Sequence, residues 1–266
     1  MLARLGHPYV VLGLTALIWG ANAVAGKLAV GHISPMMLTL LRWLLAALIL
    51  APFAWPHLKR DWPLVRKRLG YFTALGFLGF TGFNALFYVA LTYTSAIHAM
   101  IVQSAMPLVV FIGMFLVFRA STTALQVGGF ALTFLGVLLT ATHGVPTTLF
   151  SLEVNLGDAL MFVAILSFGA YTILLSRKPK VHWLTSIFLI SITAFLTSVP
   201  VALGEWSLGA GQMPDRQGWA VLAFTVLLPS IASQSLYIRG IEMIGANRAN
   251  LFINLVPIFG TALAVL

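Results

Sequence analysis

The sequence predicts an all-α integral membrane protein in which two inverted repeats of five transmembrane helices each surround a central cavity. Of the 266 residues, 60% are hydrophobic and 8% are charged, whereas a soluble domain carries about 25% charged residues. Most of the surface must therefore face lipid. Apolar stretches of bilayer length also recur along the chain, and the second half repeats the first.

Nine apolar stretches are long enough to cross a bilayer as helices, which takes about 20 residues each. The first has no small-residue cleavage site and is followed at once by further apolar stretches, so it predicts a retained helix and not a signal peptide. Short connections with Pro, Gly or charged residues separate most of the spans. The spans are 9–30, 35–54, 70–91, 97–118, 123–142, 156–176, 184–204, 218–238 and 249–266.

The basic residues indicate a cytoplasmic N-terminus, because cytoplasmic loops are enriched in Lys and Arg. With this orientation only Arg216 lies in an outer loop, while Lys27 and Arg42 lie within spans. The cytoplasmic set is Arg4, Lys59, Arg60, Arg66, Lys67, Arg68, Arg119, Arg177, Lys178, Lys180, Arg239 and Arg248. The outer side holds most of the acids, namely Glu153, Asp158, Glu205 and Asp215. This distribution explains the net charge of +9 without a nucleic-acid partner.

The chain repeats itself at an offset of 149 residues. LIWGAN in the first span matches LSFGAY in the sixth, and the segment from Tyr88 matches the segment from Tyr237. Pro107 aligns with Pro257 after one inserted residue. Spans 1, 3 and 4 therefore pair with spans 6, 8 and 9, and span 2 pairs with span 7 by order.

An odd number of helices in each repeat makes the two copies cross the membrane in opposite directions. Many secondary transporters have this arrangement, with the substrate site near the midplane at the repeat interface. We take residues 1–142 as the first repeat and residues 143–266 as the second. The partner of the fifth span is absent from the sequence, so we expect a tenth helix beyond it.

Four segments carry a family resemblance by their order and spacing, which extends over essentially the whole chain. They are LIWGANAVAGKLA from Leu17, LRWLLAALILAP from Leu41, LTYTSAIHAMIVQSAMPL from Leu91 and GANRANLFINLVPIFG from Gly245. These segments resemble the drug/metabolite transporter superfamily, EamA type, and within it the YddG-type amino-acid exporters of bacterial inner membranes. The resemblance implies ten helices around a central cavity and export of small metabolites, with amino acids as the leading class.

The chain departs from the four-helix multidrug members of that superfamily, whose first helix carries an essential membrane-embedded glutamate. The corresponding region here, Ala16 to Asn22, contains no acid, which puts proton-for-drug exchange by that mechanism in doubt. A drug-like cation, a nucleotide sugar or a lipid-linked sugar stays open as the substrate, and a channel is a further alternative.

The sequence favours neither an enzyme nor a metal or cofactor site. It contains no cysteine, no HExxH, no GxSxG and no GxxxxGK segment, so zinc-protease, nucleophile-elbow and ATP-loop chemistry have no matching motif. The expected partners are a small-molecule substrate and the lipid bilayer, and we expect a monomer.

Polar and aromatic side chains within the spans predict a substrate site. Polar groups in hydrocarbon usually face the bundle interior or a water-filled cavity. Amides can serve both the carboxylate and the ammonium of an amino acid, and aromatic rings supply an apolar wall and a cation–π face. The predicted substrate-binding residues are Trp19, Asn22, Phe83, Asn84, Gln103, Ser167, Tyr171, Gln234 and Asn254. The alternative is that each amide only joins helices, for about 0.6–2 kcal/mol.

Two prolines and two tyrosines have predicted roles that follow from the repeat. Pro107 and Pro257 remove a backbone hydrogen bond within a span and are predicted hinges. Tyr88 and Tyr237 are expected near opposite membrane interfaces, where aromatic belts lie.

Two cations within the spans need separate explanations. Lys27 lies near the outer end of the first span, where its side chain can extend to the interface. Arg42 has no acid partner within a span, so its guanidinium is expected to bind backbone carbonyls or a helix C-terminus. The alternative is that Arg42 holds a substrate carboxylate.

Two residues at the outer ends of spans have expected local roles. Asp158 is expected to cap the sixth span, because a helix N-terminus favours an anion. His98 is expected to be hydrated at the interface, with pH sensing as the alternative.

Overall fold

The computed structural model describes residues 7–141 and 155–265. Arg4, Glu153 and the predicted repeat boundary at 142/143 lie outside these residues. Every regular element within the described ranges is helical, which confirms the all-α prediction. Seven continuous helical spans within the described ranges are long and apolar enough to cross a membrane, judged by length and composition, and three of these spans each combine two of the helices named below.

The first half of the chain begins with two long helices and continues through shorter ones. A seven-residue π-helical segment, Gly76–Gly82, joins α3 to α4 into one continuous span. A 3-10 turn, Arg66–Arg68, connects α2 to α3. The helices are α1 Pro8–Leu28, α2 Pro35–Val65, α3 Leu69–Leu75, α4 Phe83–Tyr93, α5 Ala96–Gln103, α6 Met106–Phe118 and α7 Ala124–Ala141.

The second half contains the same kinds of element. A π-helical segment, Val226–Ala232, joins α10 to α11, and a 3-10 turn, Phe252–Asn254, separates α12 from α13. The helices are α8 Leu156–Leu175, α9 Trp183–Ser207, α10 Arg216–Thr225, α11 Ser233–Ile244, α12 Ala246–Leu251 and α13 Leu255–Val265.

The second span is longer than its apolar stretch indicated. The prediction ended it at residue 54, but α2 continues to Val65 and contains Pro52, Pro56 and Pro63. Lys59 and Arg60 are exposed, and the Asp61 carboxylate accepts hydrogen bonds from His182 and Thr185, so the helix extends beyond the apolar stretch without leaving a charge unsatisfied. Hydropathy therefore located where the apolar part ends and not where the helix ends.

The helix contacts between the two halves of the chain come in matching pairs. Helix α1 packs against α11 and α13, and its counterpart α8 packs against α4 and α6. The repeat pairs α4 with α11 and α6 with α13, so the second set of contacts is the counterpart of the first. Helices α2 and α9, which correspond to each other, pack together along their lengths.

Glycines permit the closest of these contacts, and small residues are common where membrane helices approach each other. A Cβ added to Gly20 of α1 would lie 2.7 Å from the backbone nitrogen of Gly260 in α13. A Cβ added to Gly79 would lie 2.3 Å from the ring of Tyr171. The first π segment is therefore held directly against α8.

The two π-helical segments occupy matching places, since Gly76 and Val226 are 150 positions apart. π-helical turns are rare in proteins, and those that occur are often found at functional sites. Each contributes a residue to the centre of the molecule. Phe80 stacks on Trp43 with ring centroids 4.0 Å apart, and the Ser230 hydroxyl donates to the Thr225 carbonyl at 2.7 Å.

Candidate functional site

A central cavity lies between α1, α2, α4, α5, α6, α8 and α11. It contains about 370 Å³ of space between atoms, but the centre of a water molecule can occupy only about 20 Å³ of it. That is room for about one ordered water, so this conformation is too narrow for a metabolite. The lining residues are Trp19, Asn22, Arg42, Phe83, Asn84, Phe87, Gln103, Met106, Phe168 and Gln234.

The structure brings two thirds of the predicted substrate-binding residues to this cavity. They are Trp19, Asn22, Phe83, Asn84, Gln103 and Gln234. The other three do not line it. The Ser167 hydroxyl donates to the Leu78 carbonyl at 2.7 Å, Tyr171 is fully buried beside Gly79, and Asn254 is fully buried in the 3-10 turn before α13.

Four lining residues were outside the predicted set. Phe168 is the repeat counterpart of Trp19, and Phe87 lies one helical turn after Phe83, so both had a signal in the sequence. For Arg42, contact with a substrate carboxylate was only the alternative to a role in joining helices. Met106 follows the break after α5, and nothing in its local sequence indicated its position.

An aromatic wall forms one side of the cavity. The rings of Trp19 and Phe168 meet edge to face with centroids 5.5 Å apart, and Phe83 contacts Phe168 at 4.9 Å. The Trp19 indole N–H donates to the Ser233 hydroxyl at 2.8 Å, and this hydroxyl donates to the Pro229 carbonyl at 2.6 Å. Trp19 is thus attached to the second π segment.

On another side lies the Arg42 cluster, which consists of Arg42, Asn84, Tyr88, Asn22 and Ser230. Arg42 donates from Nε to the Ser230 hydroxyl at 2.5 Å, and from Nη1 to Asn84 Oδ1 at 2.9 Å and to the Tyr88 hydroxyl at 2.5 Å. The Tyr88 hydroxyl in turn donates to Asn22 Oδ1 at 3.3 Å. Arg42 is only 2% exposed, so a cation is buried among neutral oxygens.

This cluster corrects two expectations. Arg42 does not use backbone carbonyls or a helix C-terminus, because its acceptors are side-chain oxygens on α4 and on the second π segment. Its guanidinium carbon also lies 4.9 Å from the centre of the Trp43 ring, a cation–π distance. Tyr88 is not an interface residue, because it is 3% exposed and its hydroxyl is held in the interior.

The Tyr237 cluster lies at the counterpart position and consists of Tyr237, Thr172 and Asn250. The Tyr237 hydroxyl lies 3.0 Å from the Thr172 hydroxyl and donates to Asn250 Oδ1 at 3.2 Å. Tyr237 is 1% exposed, so the expected interface position is wrong here too. Its ring lies 4.9 Å from Trp19, and all three members of the cluster are neutral.

The two tyrosines separate the central cavity from two further spaces. Tyr88 bonds to the cavity residues Arg42 and Asn22 and lines a space of about 450 Å³ near the ends of α1 and α2, here called the Tyr88 vestibule. Tyr237 contacts the cavity residue Trp19, and both line a space of about 150 Å³ toward the start of α1, here called the Tyr237 crevice. Each tyrosine thus contacts residues of the cavity and also lines a second space.

Both predicted hinge prolines follow a helix break. Helix α5 ends at Gln103, and Pro107 is the second residue of α6. Pro257 is the third residue of α13, just after the 3-10 turn Phe252–Asn254. A proline lacks the N–H that would continue the preceding helix. The cavity residue Gln103 thus lies at one of these breaks.

Lys27 has a defined partner at the end of α4. Its ammonium donates to the carbonyls of Leu91 at 2.9 Å and Thr94 at 3.0 Å. A cation at the C-terminal carbonyls of a helix stabilises it. Lys27 therefore ties the end of α1 to the end of α4.

The capping role predicted for Asp158 is confirmed. Asp158 and Asn155 form a reciprocal capping box at the start of α8, with the Asp158 N–H donating to Asn155 Oδ1 at 3.1 Å. The Thr94 hydroxyl also donates to Asp158 Oδ1 at 3.0 Å, and His98 Nδ1 lies 4.0 Å from that oxygen. Neither Asp158 nor His98 lines the cavity.

Two ionisable groups outside the membrane-spanning helices have shifted pKa values. Partial burial, and then the neighbouring His57 whose ring is stacked 3.7 Å away, lower the pKa of His182. The Gly218 N–H at 2.9 Å, and then His32 Nδ1 at 2.7 Å, stabilise the Asp215 carboxylate and lower its pKa.

Comparison with known proteins gives a consistent result. The model of the EamA-like transporter family matches residues 8–142 and 155–266. The uncharacterized transporter YyaM of Bacillus subtilis (strain 168) is 30% identical over 263 residues, which cover 94% of this chain and 82% of that protein. The uncharacterized inner membrane transporter YicL of Salmonella typhimurium is 26% identical over 272 residues, which cover 95% of this chain and 84% of that protein.

A protein known from a crystal structure shares the fold. It superposes with a TM-score of 0.74 at 15% sequence identity. The match covers 97% of this chain and 87% of the other. At this identity the likeness supports the fold alone.

Proposed function

This chain belongs to the EamA-like transporter family, and on that premise we propose that it is a secondary transporter that exports small metabolites by alternating access. Amino acids, including aromatic and apolar ones, are the leading substrate class. The membrane is the bacterial inner membrane, and the N-terminus is cytoplasmic.

The single observation that carries the proposal is a central cavity next to two tyrosines at matching positions, each of which also lines a further space, and we propose that these tyrosines are its two closures. Tyr88 lies between the cavity and the Tyr88 vestibule, and Tyr237 lies between the cavity and the Tyr237 crevice. A carrier must open one side while the other is closed. Two separate closures around one site meet that requirement, whereas a channel needs both sides open together.

The proposed inverted repeat supplies a way to alternate. Because the contacts of α1 with α11 and α13 have counterparts in those of α8 with α4 and α6, exchanging the conformations of the two halves would exchange the open side. Pro107 and Pro257 follow breaks at matching places, which suits a hinge in each half. The two repeats, residues 1–142 and 143–266, are the bodies that we propose to move.

The chemistry of the cavity favours amino acids over drug-like cations. Among the described residues that line it, Arg42 is the only charged one, and no carboxylate is present. The amides of Asn22, Gln103 and Gln234 can donate and accept hydrogen bonds. The aromatic wall accommodates an apolar side chain.

Exchange in liposomes tests the function. Purified protein is reconstituted with an internal pool of one amino acid, and counterflow of the labelled compound is measured across a panel of amino acids, amines and nucleotide sugars. Saturable counterflow of an amino acid supports the proposal. Flux that rises linearly with concentration and shows no counterflow would indicate a channel, and exchange of nucleotide sugars alone would change the substrate class.

A further inference from the structure

We infer that Arg42 is the anion-binding residue of the central cavity, and that the transported solute carries a carboxylate that pairs with the free part of the guanidinium. The inference rests on the proposed function, because it names the substrate class of the same cavity. If the inference is correct, the transported solute is an organic anion or a zwitterion and not a simple amine.

Not all N–H donors of Arg42 have a hydrogen-bond acceptor among the described residues. A guanidinium carries five N–H groups in a fixed fork. Nε uses its one N–H on Ser230, and Nη1 uses its two on Asn84 and Tyr88. The two N–H groups of Nη2 have no acceptor within the described ranges, and Nη2 is not among the fully enclosed atoms that lack a partner. Since Arg42 lines the cavity, we take Nη2 as the donor available to a group bound there.

The charge of Arg42 is uncompensated as well. The described residues offer it no ion pair, and its three acceptors are neutral oxygens. Buried charges in membrane proteins are costly and are usually paired. A role limited to joining helices would not explain why two donors are unused and why no counter-charge is present. An anion in the cavity would supply both an acceptor for these donors and a negative charge.

The neighbours of Arg42 hold its guanidinium in one orientation. The Ser230 hydroxyl is itself held by the Thr225 carbonyl at 2.7 Å. Asn84 is held by a bond from Nδ2 to the Phe80 carbonyl at 2.5 Å. Both anchoring carbonyls lie at or within a π-helical span, so the two halves of the molecule position the fork together. A donor fixed in advance loses less entropy when it binds a carboxylate.

A second unpaired atom fits the other end of a zwitterion. Gln234 lines the same cavity, and its Oε1 is enclosed without a hydrogen-bond partner among the described residues. An amide oxygen is an acceptor that an ammonium can use, and the rings of Trp19 and Phe168 offer cation–π faces. The carboxylate would be bound by a charged group and the ammonium only by neutral groups. The carboxylate should therefore contribute more to the affinity of the solute.

Binding of matched solutes tests this directly. Wild-type protein in detergent is titrated calorimetrically with compounds that share a side chain: L-phenylalanine, 3-phenylpropionate without the ammonium, and 2-phenylethylamine without the carboxylate. L-leucine and 3-methylbutylamine form a second pair. We expect the carboxylates to bind and the amines to bind about ten- to a hundredfold more weakly, the value of a hydrogen bond to a charged group. Amines that bind as tightly as their carboxylates, or carboxylates that do not bind, would overturn the inference.

Variants identify Arg42 as the group responsible. Arg42→Lys keeps the charge but loses the planar fork, and Arg42→Gln loses both. We expect affinity for the carboxylates to fall about tenfold or more in each, with Lys59→Gln, which changes an exposed cation elsewhere, as the matched control. A folded Arg42→Lys protein with unchanged affinity and unchanged preference for carboxylates would contradict the assignment. The comparison of solutes on the wild type stands even if Arg42→Gln does not fold.

The liposome assay separates this inference from the proposed function. If carboxylates bind at Arg42 but no solute undergoes counterflow, the anion site stands and the transporter proposal fails. If amines alone undergo saturable counterflow, the transporter proposal stands and the anion site fails.

Discussion

Tyr88 and Tyr237 are 149 positions apart in the chain, at matching points of the third and eighth spans, and they are held by different chemistry. The Tyr88 hydroxyl accepts from the buried cation Arg42, whereas the partners of the Tyr237 hydroxyl among the described residues are the neutral Thr172 and Asn250. The residue 149 positions after Arg42 is Ser191. The tyrosine is thus present at both matching positions, but the charged residue beside it is present at only one of them.

Matching positions of the two repeated segments can thus place the same tyrosine in different chemical surroundings. The vestibule next to Tyr88 contains about 450 Å³, and the crevice next to Tyr237 contains about 150 Å³. An anionic solute would interact with the closure that carries the cation and not with its counterpart. If the chain exports such a solute, as we propose, the direction of transport would depend on these side chains and not on the fold.

The largest expected effect is an all-or-none difference in the location of fused reporters. It decides which of the two proposed closures faces which compartment. A reporter fused after residue 150 should be periplasmic, and one fused after residue 62 should be cytoplasmic, because most Lys and Arg residues then lie inside. The Tyr88 closure would face outward. Alkaline phosphatase and fluorescent-protein fusions measure the two states, and the reverse pattern would exchange the two closures.

The next effect is about tenfold and concerns the cavity amides. Gln234→Ala removes an acceptor that has no partner among the described residues, so the free energy of unfolding should change by less than about 1 kcal/mol. Counterflow should fall about tenfold, because the ammonium loses a hydrogen bond. Transport and thermal unfolding are measured on the same preparation. Early melting with normal transport would show that Gln234 only joins helices.

The closures themselves can be compared by removing one hydroxyl from each. Tyr88→Phe removes an acceptor from a charged donor and should cost about 1.5–3 kcal/mol, whereas Tyr237→Phe removes neutral bonds and should cost about 0.5–1.5 kcal/mol. Each variant is the matched control for the other, since the change is identical. Unfolding free energies in one detergent measure the difference, and equal losses would mean that the charge does not distinguish the closures.

The smallest effect is that of pH on the two ends of the molecule. Lowered pKa values mean that the neutral His182 and the ionised Asp215 favour the folded state, so both contributions are lost as pH falls. The loss at His182 begins below its unfolded pKa of about 6.5, and the loss at Asp215 below about 3.9. Melting temperatures between pH 7.5 and 5.5 should fall slightly, and this fall should be absent in His182→Gln.

The fold could be predicted because long apolar stretches and a sequence repeat determine the number, order and pairing of the helices. The positions of Tyr88 and Tyr237 could not. An aromatic residue near the end of an apolar stretch is typical of an interface belt, but the π segments in these two spans change which residues face inward. A π segment adds one residue to a helical turn but does not alter composition or hydropathy, so the sequence pattern does not indicate it.

The site was only partly predictable for a related reason. Transfer through the repeat assumes equal surroundings, and Tyr171, the counterpart of Asn22, instead packs against Gly79 of the first π segment. Its ring fills space that exists because residue 79 has no side chain. The matched amides of α4 and α11 did reach the cavity, because the pattern of one helical face was enough to place them.

The π-helical segment Val226–Ala232 has a mechanical consequence. A π turn holds one residue more than the α-helix needs, so moving the extra residue along the span rotates each residue that it passes by about 100°. Such a shift past Ser230 would turn its hydroxyl away from Arg42 while the ends of the span stay in place. The span would then act as a ratchet with discrete positions. Faster amide hydrogen exchange in Val226–Ala232 than in α11 is the measurable sign of this motion.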